Sequence, residues 1–196
     1  MGKIFYLMGK SGSGKDTIYK HIKEQIPELK SIVIYTTRPI RSDELDGVAY
    51  HFSNDEKLQK FQEDGKVIEL REYNTVHGIW KYFTVDDGQF DTQENLLAIG
   101  TLESYMKTRE YFGKDKVIPI FVDIDDGERL SRALRREMRQ KEPKYDEMCR
   151  RYLADSMDFS EENLKNAGIT RTFINDNVKL CTKAISNYIK IQMKNG

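Results

Sequence analysis

Gly9-Lys10-Ser11-Gly12-Ser13-Gly14-Lys15-Asp16-Thr17 follows a short apolar and aromatic run at residues 3–8 and precedes a segment in which Ile18 and Ile22 recur four apart among Lys20, Lys23 and Glu24. A run so brief, stopped by glycine, reads as a buried strand, and the four-residue spacing reads as an amphipathic helix ending near Pro27. Strand, glycine-rich loop and helix form the setting in which G-x-x-x-x-G-K cradles phosphate. The glycines let successive N–H groups face inward, the helix adds its positive pole, and Lys15 brings a point charge to the β- and γ-phosphates. The stretch therefore predicts a nucleoside triphosphate site on Gly9, Ser11, Gly12, Ser13, Gly14, Lys15, Asp16 and Thr17.

One position departs from the motif. The residue after Lys15, normally a Ser or Thr that ligates Mg²⁺, is Asp16, followed by Thr17. Three readings stay open: Asp16 binds Mg²⁺ through water, Thr17 takes over as the ligand, or Asp16 only stabilises the first helical turn by its charge.

Working outward, further strands are expected at residues 31–35, 67–70, 95–99, 117–122 and 171–174. Helices are expected at 55–63, 102–112, 126–139, 144–153 and 180–193. Alternation of this kind predicts an α/β fold with a parallel sheet flanked by helices. Residues 71–90, rich in Tyr, Trp and Gly, break the alternation and read as an insertion. With 196 residues, one compact unit is expected.

Composition narrows the partners. Lys plus Arg is 32 and Asp plus Glu is 32, so the formal charge is zero and a general affinity for nucleic acid is not expected. Mean hydropathy is -0.68, and the apolar runs at 95–99 and 117–122 fall short of a membrane span. Cys149 and Cys181 show no metal or disulfide spacing, and residues 1–8 lack signal-peptide order, which predicts a reduced cytoplasm. His21, His51 and His77 have no ligand spacing and read as surface or hydrogen-bonded residues.

A second anion site is suggested by Thr36-Thr37-Arg38-Pro39-Ile40-Arg41-Ser42-Asp43-Glu44-Leu45-Asp46-Gly47-Val48-Ala49-Tyr50-His51-Phe52. Two guanidinium forks three residues apart, with the Tyr50 hydroxyl nearby, suit a phosphate held by charge-assisted hydrogen bonds. Glu69 adds a carboxylate able to accept N–H bonds from a purine; its other reading is a solvated acid at a strand end, and Tyr50 reads equally as a half-buried aromatic with a wet hydroxyl.

The loop at 9–17, the pattern T-T-R-x-x-R-x-x-E-x-D-G-x-x-Y-x-F at 36–52 and Val67-Ile68-Glu69 together resemble the guanylate kinase family. The resemblance implies a P-loop NTPase fold with an inserted nucleotide-binding lobe and a helical lid. The corresponding division is core 1–35, 91–133 and 154–196, lobe 36–90, and lid 134–153. It implies that Arg38, Arg41 and Tyr50 hold the GMP phosphate and that Glu69 meets the guanine edge. Tyr82 and Thr84 align loosely with a family Tyr and Ser/Thr on the acceptor side. A family serine is Ile34 here, and the family's D-x-D is Ala98-Ile99-Gly100, which leaves the acceptor open.

Residues 128–151 hold seven arginines: Arg129, Arg132, Arg135, Arg136, Arg139, Arg150 and Arg151. By resemblance, Arg136 and Arg151 are the expected lid cations, with Arg135, Arg139 and Arg150 as substitutes. Most of the seven are expected on solvated faces, in pairs such as Glu128 with Arg132. Asp123, ending an apolar strand, reads as a metal-organising acid or, with Asp125 and Asp126, as a cap on the next helix. Asn175, in the turn Asn175-Asp176-Asn177, resembles a family turn beside adenine. The expected reaction is ATP plus GMP giving ADP plus GDP with Mg²⁺. Two alternatives stand: a relative phosphorylating ribose bisphosphate, whose loop shares Lys15-Asp16, and a non-catalytic module binding phosphopeptides through Arg38, Arg41 and Tyr50.

Overall fold

The computed structural model describes residues 2–41, 44–48, 50–75, 78–91 and 93–194. His77 and, in the acceptor stretch, Ser42, Asp43 and Ala49 lie outside them. The chain forms two sheets. The first contains β1 (Ile4–Met8), β2 (Lys30–Ser31), β7 (Leu96–Gly100), β8 (Val117–Asp123) and β9 (Thr172–Ile174), in the order β2-β7-β1-β8-β9. All its pairings are parallel.

Every residue of β1 is buried, as a central strand covered on both faces must be. Because successive side chains alternate, Phe5 and Leu7 pack with Ile18, Ile22, Ile185 and Ile189, from α1 (Lys15–Gln25) and α7 (Val178–Lys194). Ile4, Tyr6 and Met8 face the other way, onto Leu102 and Tyr105 of α3 (Leu102–Phe112) and onto Phe159. With every strand parallel, the loops after β1, β7, β8 and β9 open on one edge of the sheet, the usual place for a ligand in such folds.

The second sheet contains β3 (Tyr35–Thr36), β4 (His51–Phe52), β5 (Val67–Thr75) and β6 (Gly78–Val85), ordered β4-β3-β6-β5. Leu58 of α2 (Asp55–Glu63) packs with Tyr35, Phe83 and Val85 to give it a core of its own. The sheet is followed in sequence by the return to β7 and, later, by α4 (Asp126–Glu137), α5 (Tyr145–Asp158) and α6 (Glu161–Asn166).

Three expectations need correction. The strand expected at 31–35 is two strands in different sheets, with residues 32–34 crossing between them. The inserted segment continues β5 to Thr75 and returns as β6, its aromatic and β-branched residues pairing antiparallel from Val67↔Val85 to Thr75↔Gly78. Finally, α5 runs to Asp158 and α6 was not foreseen, although the Ser160 side chain accepts the Asn163 N–H as a helix cap does. Among the described residues, no helix is long and apolar enough to cross a membrane.

Candidate functional site

The loop between β1 and α1 turns on Gly12 (φ 88°) and Gly14 (φ 87°), both in the left-handed region that favours glycine. At Gly12 a β-carbon would also lie 2.9 Å from the Arg129 carbonyl oxygen. Asn175, which follows β9, holds the loop from below: its Nδ2 donates to the Ser13 carbonyl at 2.7 Å, and its own N–H donates to the Asp123 carbonyl at 2.8 Å. Lys15 Nζ lies 3.6 Å from Asp16 Oδ2, while Asp16 itself projects into solvent and Thr17 is exposed.

Three buried oxygens around this loop lack any hydrogen-bond partner: Ser13 Oγ, Asp123 Oδ1 and Asn175 Oδ1. Buried polar atoms are rarely left so. An all-oxygen set of this kind fits Mg²⁺ and its waters, although among the described residues no three acids, histidines or cysteines gather tightly enough to make a metal site alone. Lys10 balances the acids, at 3.9 Å from Asp123 and 3.4 Å from Asp126.

Helices α4 and α5 close over the loop. Arg129, fully buried, donates Nε to Asp126 Oδ1 at 2.9 Å and Nη2 to Ser156 Oγ at 2.8 Å, and lies 3.7 Å above the Tyr152 ring. Burial works against the ionised Asp126, but Arg129 and Lys10 outweigh it and its pKa falls. Asp155 Oδ2 accepts the Ser11 N–H at 2.6 Å. Arg136 and Arg151 are both exposed. Arg151 lies 3.5 Å from Glu147, whereas Arg136 has no ion pair among the described residues and lines a groove of about 370 Å³ with Arg132, Arg135 and Arg139. Arg132 does more than pair with Glu128 at 2.9 Å, since its Nη2 also donates to the Asn175 carbonyl at 3.2 Å, beside Gly14. Sequence reasoning foresaw the Glu128 and Arg132 pair but gave neither Arg129 nor Arg132 a place at the site, and it did not name Asp155; for Arg129 the Asp126 spacing of three was a signal, and for Asp155 there was none.

On the second sheet, Arg38 is 4% exposed. Its Nη2 donates to both Glu44 oxygens at 2.7 and 2.9 Å, and its Nη1 to the Pro39 carbonyl at 2.7 Å. Hydrogen bonding to Arg38 draws the Glu44 pKa below its ordinary value; burial opposes the Arg38 charge, yet Glu44 more than compensates. The guanidinium lies 5.3 Å from the Tyr50 ring, and Tyr50 packs edge-on against Tyr82 at 5.6 Å. Burial raises the half-buried Tyr50 hydroxyl's pKa, and Arg38 and Arg71 pull against that rise. Arg41 is exposed, its backbone N–H donating to Glu44 Oε2 at 2.9 Å.

Glu69 is not a solvated strand-end acid. It is 5% exposed, with Oε1 accepting the Thr84 hydroxyl at 2.7 Å and Arg71 Nη2 at 3.2 Å, and Oε2 accepting Arg71 Nε at 2.8 Å. Arg71 Nη1 reaches 3.4 Å from Thr101 Oγ1. Thr101 follows Gly100, which is level with Met8, the residue before Gly9. The cluster on the second sheet thus meets the first sheet at the edge where the phosphate loop opens.

Compared with known families, residues 1–154 match the sequence model described as guanylate kinase. The chain belongs to the guanylate kinase family. A guanylate kinase from Salinibacter ruber is 34% identical over 134 residues, 67% of this chain and 69% of the relative. One from Mycobacterium bovis is 37% identical over 78 residues, and that match spans only 36% of the relative's length. The crystal structure of guanylate kinase from Anaplasma phagocytophilum aligns with a TM-score of 0.66 at 20% identity, over 97% of this chain and 86% of that one. The fold is therefore that of the P-loop NTPases.

Within this guanylate kinase family member, the two departures have structural counterparts. Ile34 lies in the crossing between the sheets, its carbonyl accepting the His51 N–H at 2.9 Å. At Gly100 a β-carbon would lie 2.5 Å from Tyr6 Oη and 2.6 Å from Ser104 Oγ, which bond each other at 2.8 Å. Burial pushes the Tyr6 hydroxyl up to about 12. A carboxylate at position 100 would require Tyr6 or Ser104 to shift.

Proposed function

We propose that the protein is a nucleoside monophosphate kinase that moves the γ-phosphoryl group of ATP to GMP. A phosphate oxygen of the acceptor forms the new bond to γ-phosphorus as the bond to the β-phosphate oxygen breaks, releasing ADP without a covalent enzyme intermediate. The observation that carries this reading is the junction of the two anion sites, with Arg71 reaching Thr101 beside the strand end that feeds the phosphate loop.

In this reading, Gly9, Ser11, Gly12, Ser13 and Gly14 supply the loop and Asn175 keeps it in shape. Lys15 neutralises charge on the phosphoryl group in transit, with Arg41, Arg136 and Arg151 delivered from exposed positions. Arg38, Arg41, Tyr50 and Tyr82 hold the acceptor phosphate, while Glu69 and Thr84 stand at its base. Mg²⁺ would offset charge on the β- and γ-phosphates; Asp16 and Thr17 are its candidate ligands, and Asp123 Oδ1, which has no hydrogen bond and lies 3.9 Å from Lys10, is compatible with a metal-bound water near the loop. Residues 36–90 act as the acceptor lobe, 134–153 as the lid, and the remainder as the core. Lid closure would exclude water, which would otherwise accept the phosphoryl group.

A coupled ADP-release assay with GMP, dGMP, AMP, UMP and CMP tests the proposal, and turnover is expected with GMP. A sugar bisphosphate accepted in their place would move the assignment to that relative. A Lys15→Ala chain retaining its full cellular activity would point instead to a binding module.

A further inference from the structure

A carboxylate set to read guanine must offer its two oxygens to a parallel pair of donors, N1–H and the 2-amino group. The Nε and Nη2 groups of an arginine present the same parallel pair. In this chain that place is already taken. Glu69 and Arg71 stand two residues apart on β5, hence on one face, and Arg71 closes on Glu69 through Nε at 2.8 Å and Nη2 at 3.2 Å, while Thr84 occupies Oε1. The pair is buried, with side chains 9% and 2% exposed, and Glu69 overcomes the burial that would otherwise disfavour the Arg71 charge.

Arg71 still has a second fork, formed by Nη1 and the remaining hydrogen of Nη2. Its only partner among the described residues is Thr101 Oγ1, at 3.4 Å from Nη1, longer than a well-formed bond. Two adjacent donors match an adjacent pair of acceptors, which is what O6 and N7 of a 6-oxopurine provide; adenine places an amino group at the first of these positions. Among the described residues no second acid stands at the 2-position: Gly100 has no side chain, Tyr6 and Ser104 crowd the place one would occupy, and Ile34 carries no hydroxyl.

We infer that Arg71, clamped on Glu69, sets the specificity of the acceptor site by reading the O6 and N7 edge of a 6-oxopurine nucleotide while leaving the 2-position unread, so that IMP and GMP are used alike. This rests on the reading above that the acceptor is a nucleoside monophosphate. Arg71 is level with Tyr82 across the hairpin, and Tyr82 packs on Tyr50 beside Arg38, which sets this fork next to the site assigned to the acceptor's phosphate.

The experiment is kcat/KM for GMP, IMP and AMP on the full chain and on two variants, with thermal unfolding as the check on folding. For the unaltered chain we expect GMP and IMP within about threefold of each other and AMP poorer by about 10- to 100-fold. Arg71→Lys keeps the charge and loses the fork, and is expected to weaken GMP and IMP by the same factor. Arg71→Ala frees Glu69 and is expected to raise GMP above IMP by about tenfold. The unaltered chain alone decides the matter if Arg71→Ala does not fold. A GMP preference of about thirtyfold or more, unchanged in Arg71→Lys, would overturn the inference and leave the kinase reading intact. Turnover with no nucleotide at all would remove both.

Discussion

The carboxylate of Asp155, on α5, accepts the N–H of Ser11, in the phosphate loop, at 2.6 Å. A negative charge from the end of α5 therefore stands on the loop assigned to the most anionic part of the donor. Asp155→Asn keeps an acceptor for Ser11 and removes the charge. We expect it to tighten binding of a non-hydrolysable ATP analogue by roughly three- to tenfold, about 1 kcal/mol. Calorimetric titration checks this, and the gain should shrink as salt is added.

Among the described residues, Lys15 is ion-paired only with Asp16, at 3.6 Å. Lys15→Ala should reduce kcat by about 10²- to 10³-fold, the usual cost of losing one preorganised charge-stabilising group. The unfolding temperature should stay close to that of the parent, because the ammonium, proposed to meet phosphate, makes its ion pair with solvent-exposed Asp16 and belongs to no core cluster. A large fall in stability with unchanged turnover would contradict the assigned role.

Arg38 and Glu44 act as a unit. Arg38→Ala should raise the acceptor KM by about tenfold or more with less effect on kcat. The pair also fixes a pH response. Glu44 titrates below its ordinary 4.5 in the folded chain, so its contribution is complete above that value and is lost as the pH falls through the depressed one. Stability and acceptor binding should therefore show no Glu44-dependent change near neutrality and should weaken together in acid. Glu44→Gln should abolish that acid limb, as denaturant titrations along a pH series would reveal.

Gly100→Ala should destabilise the fold by about 1–3 kcal/mol, because the added methyl meets the paired hydroxyls of Tyr6 and Ser104 at 2.5 and 2.6 Å. Gly100→Asp should cost more. Tyr6→Phe removes one of the crowding atoms and should recover part of the Gly100→Ala loss in a urea-unfolding cycle.

The sequence displayed the phosphate loop plainly because each of its devices is local: glycines where φ is positive, an apolar strand before them and a period-four helix after. It concealed the sheet division for an equally local reason. Strands of two residues, such as Lys30–Ser31 and Tyr35–Thr36, are too short to show alternation. The hairpin from Val67 to Val85 hid behind aromatics on both of its faces. At the site, the T-T-R-x-x-R-x-x-E spacing already contained the Arg38 and Glu44 pair. Arg71 was missed because the expected strand stopped at residue 70; once β5 is seen to continue to Thr75, residues two apart such as Glu69 and Arg71 share a face. The contact of Asp155 with Ser11 spans 144 positions and left no trace in any local pattern.

The polypeptide enters the second sheet through residues 32–34 and leaves it after Val85 to rejoin the first at Leu96. Two strips of chain thus join the four-stranded unit to the rest covalently; it has a hydrophobic centre of its own around Phe83, while Ile68 of β5 packs into the core beside β1 and α3. If the unit is the acceptor lobe proposed above, torsions in those strips, together with the Ile68 and Arg71 contacts, would set how near the acceptor comes to the donor. Stiffening either strip should slow each catalytic cycle while leaving both binding surfaces chemically untouched.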